Sequence, residues 1–156
     1  MHIRLIAVGD RQPSWVDSAF NDYVARLPRQ WQFRLETIAT AKRQKNTHAE
    51  VSKQAEGEKI LAKMKPAEHV VVLDENGTQF TSKELAGKLE DWQSVGEDIV
   101  FIIGGPDGVS REVQARANSS WSLSKLTLPH GLARVLFAEQ IYRAWSLLTG
   151  HPYHRE

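Results

Sequence analysis

The chain has 156 residues, 41% of them hydrophobic, no cysteine, and a net charge of +1 from 20 basic and 19 acidic side chains. That size and apolar content suit one domain with one substantial core, residues 1–156, while the missing cysteine excludes disulfides, thiolate zinc sites and a cysteine nucleophile and fits a reducing cytoplasm. The near-neutral total argues against a general nucleic-acid grip, and no apolar run approaches the ~18 residues of a membrane span or resembles a signal peptide, so a soluble, cytoplasmic protein is expected.

In chain order, HIRLIAVG (2–9) reads as an apolar strand. Pro13-Ser14 opens a helix carrying Trp15, Phe20, Tyr23, Val24 and Leu27 at helical spacing, closed by Pro28. WQFRLETIA (31–39) alternates as a half-buried second strand, and the basic loop TAKRQKN follows. Thr47 with Glu50 forms a capping-box pattern before a polar helix reaching about Met64, and HVVVLDENG (69–77) is the third strand. Thr81 with Glu84 repeats the box before Leu85, Leu89 and Trp92, a helical stripe ending near Gly96. IVFII (99–103) is the fourth strand, Ser110 caps a short helix, and WSLSKLTL (121–128) reads as a fifth strand before Pro129. A long apolar helix then runs to Gly150, followed by the tail HPYHRE.

This alternation predicts an α/β fold: a mostly parallel sheet with helices on both faces. Such sheets bind ligands beyond the carboxyl ends of their strands. Three loops fall there, after Leu73, Gly104 and Ser124. The glycine pair in VFIIGGPDGV implies close approach of a phosphate, another chain segment or a small cofactor, although a plain turn accounts for GPDG equally well. Neither dinucleotide nor P-loop spacing is present.

Other constellations are weaker. His151 and His154 lack a nearby third ligand, so no metal is expected. Ser124, Asp107 and His130 lack a nucleophile elbow, and Ser124 falls within a strand pattern. Glu139 and Arg143 stand four apart on a helix whose neighbours are apolar, which favours a buried or interfacial pair over an exposed one. Charge is uneven: residues 26–45 hold six basic side chains and one acid, whereas 74–98 hold seven acids and two lysines. The tail residues Tyr153, His154 and Arg155 suit stacking on bases and holding phosphates, although a solvated end is the simpler alternative.

Taken together, VLDENG, FIIGGPDG, WSLSKLTLPHGLARVLFAEQIYRAW and the terminal HPYHRE strongly resemble the ribosomal RNA large subunit methyltransferase H family of the SPOUT class, across essentially the whole chain. The resemblance implies S-adenosylmethionine-dependent methylation of N3 of a pseudouridine in a stem-loop of 23S ribosomal RNA within the assembled ribosome. It also implies a homodimer and a C-terminal trefoil knot, which no periodicity argument reaches. Carried over, Leu73, Gly105 and the segment Ser124, Lys125, Leu126, Thr127, Leu128, Pro129 line the cofactor pocket, with any Cβ at Gly105 expected to intrude on the ligand. Arg143 is the first candidate to stabilise charge on N3, with His130 or His154 as proton acceptor. Tyr153, His154 and Arg155 are assigned to RNA positioning and catalysis, and their removal is expected to expose little core. A non-catalytic RNA-binding module and a SPOUT enzyme acting on transfer RNA are the rival readings.

Overall fold

The computed structural model describes residues 1–42 and 48–155; Thr47, most of the basic loop and Glu156 lie outside the described residues. Within them strands and helices alternate as β1 (Ile3–Val8), α1 (Ser14–Ala25), β2 (Phe33–Ile38), α2 (Ala49–Lys63), β3 (His69–Gln79), α3 (Ser82–Val95), β4 (Ile99–Ile103), α4 (Arg111–Arg116), β5 (Ser119–Ser122) and α5 (His130–Thr149). One five-stranded sheet results, ordered β2-β1-β4-β3-β5, with every pairing parallel.

The continuous apolar runs occupy the centre, where both faces of the sheet are covered. Ile3, Leu5, Ala7, Ile99 and Phe101 join Phe20, Leu89, Phe137 and Ile141 in one core cluster. Their neighbours Ile6, Val8, Val100 and Ile102 join Ile60 and Val113 in the other. Period-two alternation thus assigns α1, α3 and α5 to one face and α2 and α4 to the opposite one.

Local signals set several helix ends. Thr81 and Glu84 form the reciprocal capping box of α3, Ser110 caps α4, and α5 stops at Gly150 in the left-handed region, φ 72°. Three boundaries differ from expectation. Trp31 is buried in a short 3-10 turn, Arg29–Trp31, so β2 begins at Phe33. The polar stretch Ser119–Ser122 is β5, and 123–129 leave the sheet as a loop, Ser124 included. Leu126 is 74% exposed there, so its apolar character reflects no sheet contact. Finally β3 runs past Leu73 to Gln79, but its pairing with β5 is interrupted between Leu73 and Thr78. That bulge lifts the Asp74–Asn76 backbone out of the ladder, toward the end of the sheet where β4 gives way to its glycines.

Candidate active site

A cleft of about 810 Å³ opens beyond the carboxyl ends of the strands. All five strands supply its walls: Val8–Gln12 follow β1, Thr40 follows β2, Leu73–Asn76 come from the β3 bulge, Ile103–Val109 follow β4, and residues of 123–128 follow β5. His130 and Ala133 from the first turn of α5 close one side. Leu73, Gly105, Ser124, Leu126, Thr127 and Leu128 all line it. Lys125 and Pro129 are exposed and belong to the same loop, but they are not part of the wall.

The glycines work differently from expectation. A Cβ on Gly105 would stand 2.7 Å from Oε1 of Glu56, a 2%-exposed carboxylate on α2 that also accepts the Ala41 N–H (2.9 Å). A Cβ on Gly104 would meet Val109 and the Gly108 backbone within 2.9 Å. Protein therefore fills the space beside both residues, and their bareness lets the turn fold tightly under the cleft rather than opening room inside it.

The cleft's chemistry selects among guests. Among the described residues its wall carries the carboxylates of Asp10, Asp74, Glu75 and Asp107 against the single guanidinium of Arg11. That balance repels phosphate and suits a ligand bearing positive charge. Leu73, Ile103 and Leu128 provide apolar walls beside loop backbone and the Thr127 hydroxyl, which donates to Glu75 (3.1 Å). The volume lies within the usual range for a small-molecule site. No group of three or more His, Cys, Asp or Glu able to hold a metal occurs among the described residues.

His130 is not poised as a base. Arg134 Nη2 stands 2.9 Å from its Nε2, and an arginine only donates, so Nε2 accepts and the ring proton sits on Nδ1. Burial first, and the Arg134 charge second, hold the imidazole below its ordinary range, against a backbone hydrogen bond to Gly104.

The remaining predicted residues gather elsewhere. Arg143 lies 13 residues beyond His130 on α5, about 20 Å along the helix. It binds Glu139 Oε1 through Nη2 (2.7 Å) and Nε (2.9 Å), and this bonding raises its pKa further. The tail does not trail into solvent: Pro152–Arg155 form a 3-10 turn docked against α5. Tyr153 donates to Glu139 Oε1 (3.0 Å), packs on the Tyr142 ring at 4.7 Å and the Tyr23 ring at 6.4 Å, and carries the Arg143 guanidinium over its face at 5.1 Å. Burial first, then hydrogen bonding to the Tyr23 hydroxyl (3.5 Å) and to Glu139, raises the pKa of its phenol. The expectation that the tail contributes little to the fold fails for Tyr153. Arg155 is exposed.

His154 is anchored by one edge. The Ser146 hydroxyl donates its proton to the Arg143 carbonyl (2.7 Å), so it can only accept from Nδ1 of His154 (3.2 Å). The lone pair then lies on Nε2, away from the anchor. Residues that sequence reasoning passed over include Gly9, Thr40, Glu56 and Arg134. The first two follow from the strand-end rule applied to β1 and β2, and Arg134 stands one helical turn after His130.

Residues 1–154 match the family model described as "Predicted SPOUT methyltransferase". The "Ribosomal RNA large subunit methyltransferase H" of Hahella chejuensis is 49% identical over 156 residues, covering all of both chains. Proteins of the same name from Thioalkalivibrio sulfidiphilus and Laribacter hongkongensis are 47% and 48% identical over 156 residues, again over the full length of both chains.

Proposed function

Because this chain belongs to the SPOUT methyltransferase family, we propose that it methylates N3 of a pseudouridine in a stem-loop of 23S ribosomal RNA, on the assembled ribosome, as a cytoplasmic homodimer of single-domain chains spanning residues 1–156. Methyltransferases of this class use S-adenosylmethionine and are known for a knotted fold, to which the α/β chain with its parallel sheet belongs. The ribosomal substrate follows the names of relatives that match from end to end. Among the described residues no helix is long and apolar enough to cross a membrane.

The observation that carries the reading is the carboxylate-rich cleft at the strand ends. Bound adenosylmethionine supplies an electrophilic methyl on a cationic sulfur. Leu73, Leu128 and the Gly104-Gly105 turn would flank it, Ser124, Leu126 and Thr127 would cover it, and the wall carboxylates complement its positive charge. The polypeptide has two further tasks: aligning the base with water excluded, and managing the N3 proton and the charge it leaves. Arg143 suits the second as a fixed cation. His154, with Nε2 opposite its anchored edge, suits proton acceptance better than His130, and Arg155 and Tyr153 suit holding the RNA.

Arg143 and the tail stand about 20 Å along α5 from the cleft. This separation supports a dimer in which the C-terminal cluster of one copy faces the cleft of the other. Mass mapping of ribosomal RNA from a deletion strain tests the function: one methyl should disappear from a 23S pseudouridine and return on complementation. Unchanged ribosomal RNA, or a loss confined to transfer RNA, would contradict it.

A further inference from the structure

In PHGLARVLF the first residue of α5, His130, and Arg134 stand four apart and therefore meet on one face of the helix. A helix start is a poor place for a buried cation. Its exposed N–H groups carry partial positive charge, and α5 has no acidic residue in its first turn. Arg134 is nevertheless only 1% exposed, and its Nε is buried without a hydrogen-bond partner among the described residues. Burying a guanidinium so is costly, and packing alone would favour Leu or Met.

The contacts say what the residue does in return. Arg134 Nη2 donates to the carbonyl of Gly9 (2.8 Å) and to Nε2 of His130 (2.9 Å). Gly9 has φ +120°, and its N–H donates to the carbonyl of Ile38 at the end of β2 (2.7 Å). A Cβ on Gly9 would lie 3.8 Å from His130 Nε2 and 3.9 Å from Arg134 Nη2, so this backbone sits against the pair. His130 in turn bonds the backbone of Gly104, and since Nε2 is an acceptor the ring donates through Nδ1. Arg134 and His130 in series thereby connect the turn after β1 to the turn after β4, and both turns line the cleft. Across the interface, Asp17 of α1 is the acid whose field acts on Arg134, against the burial that lowers its pKa.

We propose that Arg134 is a positioning residue of the cofactor site: it locks His130 in the neutral Nδ1–H tautomer and, through that lock, fixes the Gly9 and Gly104 backbones at the spacing the methyl donor needs. This rests on reading the cleft as the adenosylmethionine site. His130 then serves as a strut between two loops rather than as a proton acceptor. Arg134 makes both of its bonds through Nη2, while its Nε is buried without a partner among the described residues.

Two measurements separate this from a purely structural role. Nitrogen-15 spectra of the histidine ring in the unmodified protein should show His130 protonated on Nδ1 alone through the neutral range. A ring protonated on Nε2, or one titrating like an exposed histidine, overturns the lock whatever any variant does. Calorimetry with S-adenosylhomocysteine should then show Arg134→Met binding at least roughly tenfold more weakly, the scale of one charge-assisted hydrogen bond, with Arg134→Lys between the two. An unchanged affinity in Arg134→Met overturns the proposal while leaving the cofactor site intact. Absence of binding by the unmodified protein instead removes the reading of the cleft.

Discussion

One histidine opens α5 and another packs against its far end from the tail, and the two rings are held in opposite senses. At the first turn, Arg134 covers the lone pair of His130 and the backbone of Gly104 takes its proton, so the ring is fully used in holding loops together. Beyond the last turn, Ser146 takes the proton of His154 at Nδ1 and leaves the lone pair on the other edge. The same side chain is thus a strut at one end and a base candidate at the other. What decides is whether the neighbour on the lone-pair side is a donor. The cation beside each differs as well. Among the described residues Arg134 is buried and hydrogen-bonds two acceptors, whereas Arg143 is ion-paired with Glu139 and lies over Tyr153, 27% exposed at its side chain.

The largest effect should come from removing the C-terminal element. A chain ending at Pro152 should bind S-adenosylhomocysteine normally yet methylate ribosomes at least roughly a hundredfold more slowly, the scale of lost positioning and proton transfer. It should also melt several degrees lower, because Tyr153 leaves the Tyr142 and Tyr23 rings, each such pair being worth about 0.5–1.5 kcal/mol. Full activity would reduce the tail to a structural plug.

Arg143→Gln should follow, slowing the methylation step by about a hundredfold, as loss of one electrostatic donor does, with cofactor affinity unchanged. A shift in S-adenosylhomocysteine affinity instead would place Arg143 in the cleft of its own chain. His154→Gln and His130→Gln should then diverge: the first lowers the rate with affinity preserved, about tenfold or more, and the second lowers affinity. Equal effects on both quantities would erase the contrast between the two ends.

Gly105→Ala sharpens the cleft side. Its Cβ meets Glu56 rather than ligand, so the variant should lose about 1–3 kcal/mol of stability, as overpacking does. Adding Glu56→Ala should restore part of it. A normal melting temperature combined with lost cofactor binding would show that the added methyl points into the site after all.

The smallest effect is on pH. His130 is held neutral in the folded chain, its pKa depressed by burial and then by Arg134, so the unfolded chain takes up a proton first as pH falls. Stability present above the unfolded value, roughly 6.5, is lost as pH drops through it. Glu36, whose depressed pKa reflects its bonds to Arg4 against opposing burial, acts only in the carboxylate range below. Melting curves between these windows should weaken with falling pH, and His130→Gln should flatten that slope.

Much of this architecture was legible in the residues. Continuous apolar runs marked the central strands, and the parallel-sheet rule brought the loops after Leu73, Gly104 and Ser124 to one end. The pattern misled where apolar residues serve the cleft rather than the sheet. Leu126 and Leu128 made a strand-like alternation in a segment that is loop, while the true β5 is the polar Ser119–Ser122. Tail docking was hidden because the stop at Gly150 says where a helix ends and not what packs back upon it. Arg134 was overlooked since nothing in a helical sequence distinguishes a guanidinium turned inward. Its spacing from His130 was the available sign.

We propose that one chain's cleft works with the other chain's C-terminal cluster, and mixed dimers put this to the test. Thr127→Trp should block the cleft from its exposed loop, and Arg143→Gln should disable the cluster, so each protein alone should methylate ribosomes very slowly. If the site is shared, refolding or co-expressing the two together should restore roughly a quarter of the normal rate, since half of randomly paired dimers are mixed and each of those keeps one intact site. No restoration in preparations shown to contain mixed dimers would contradict the shared site.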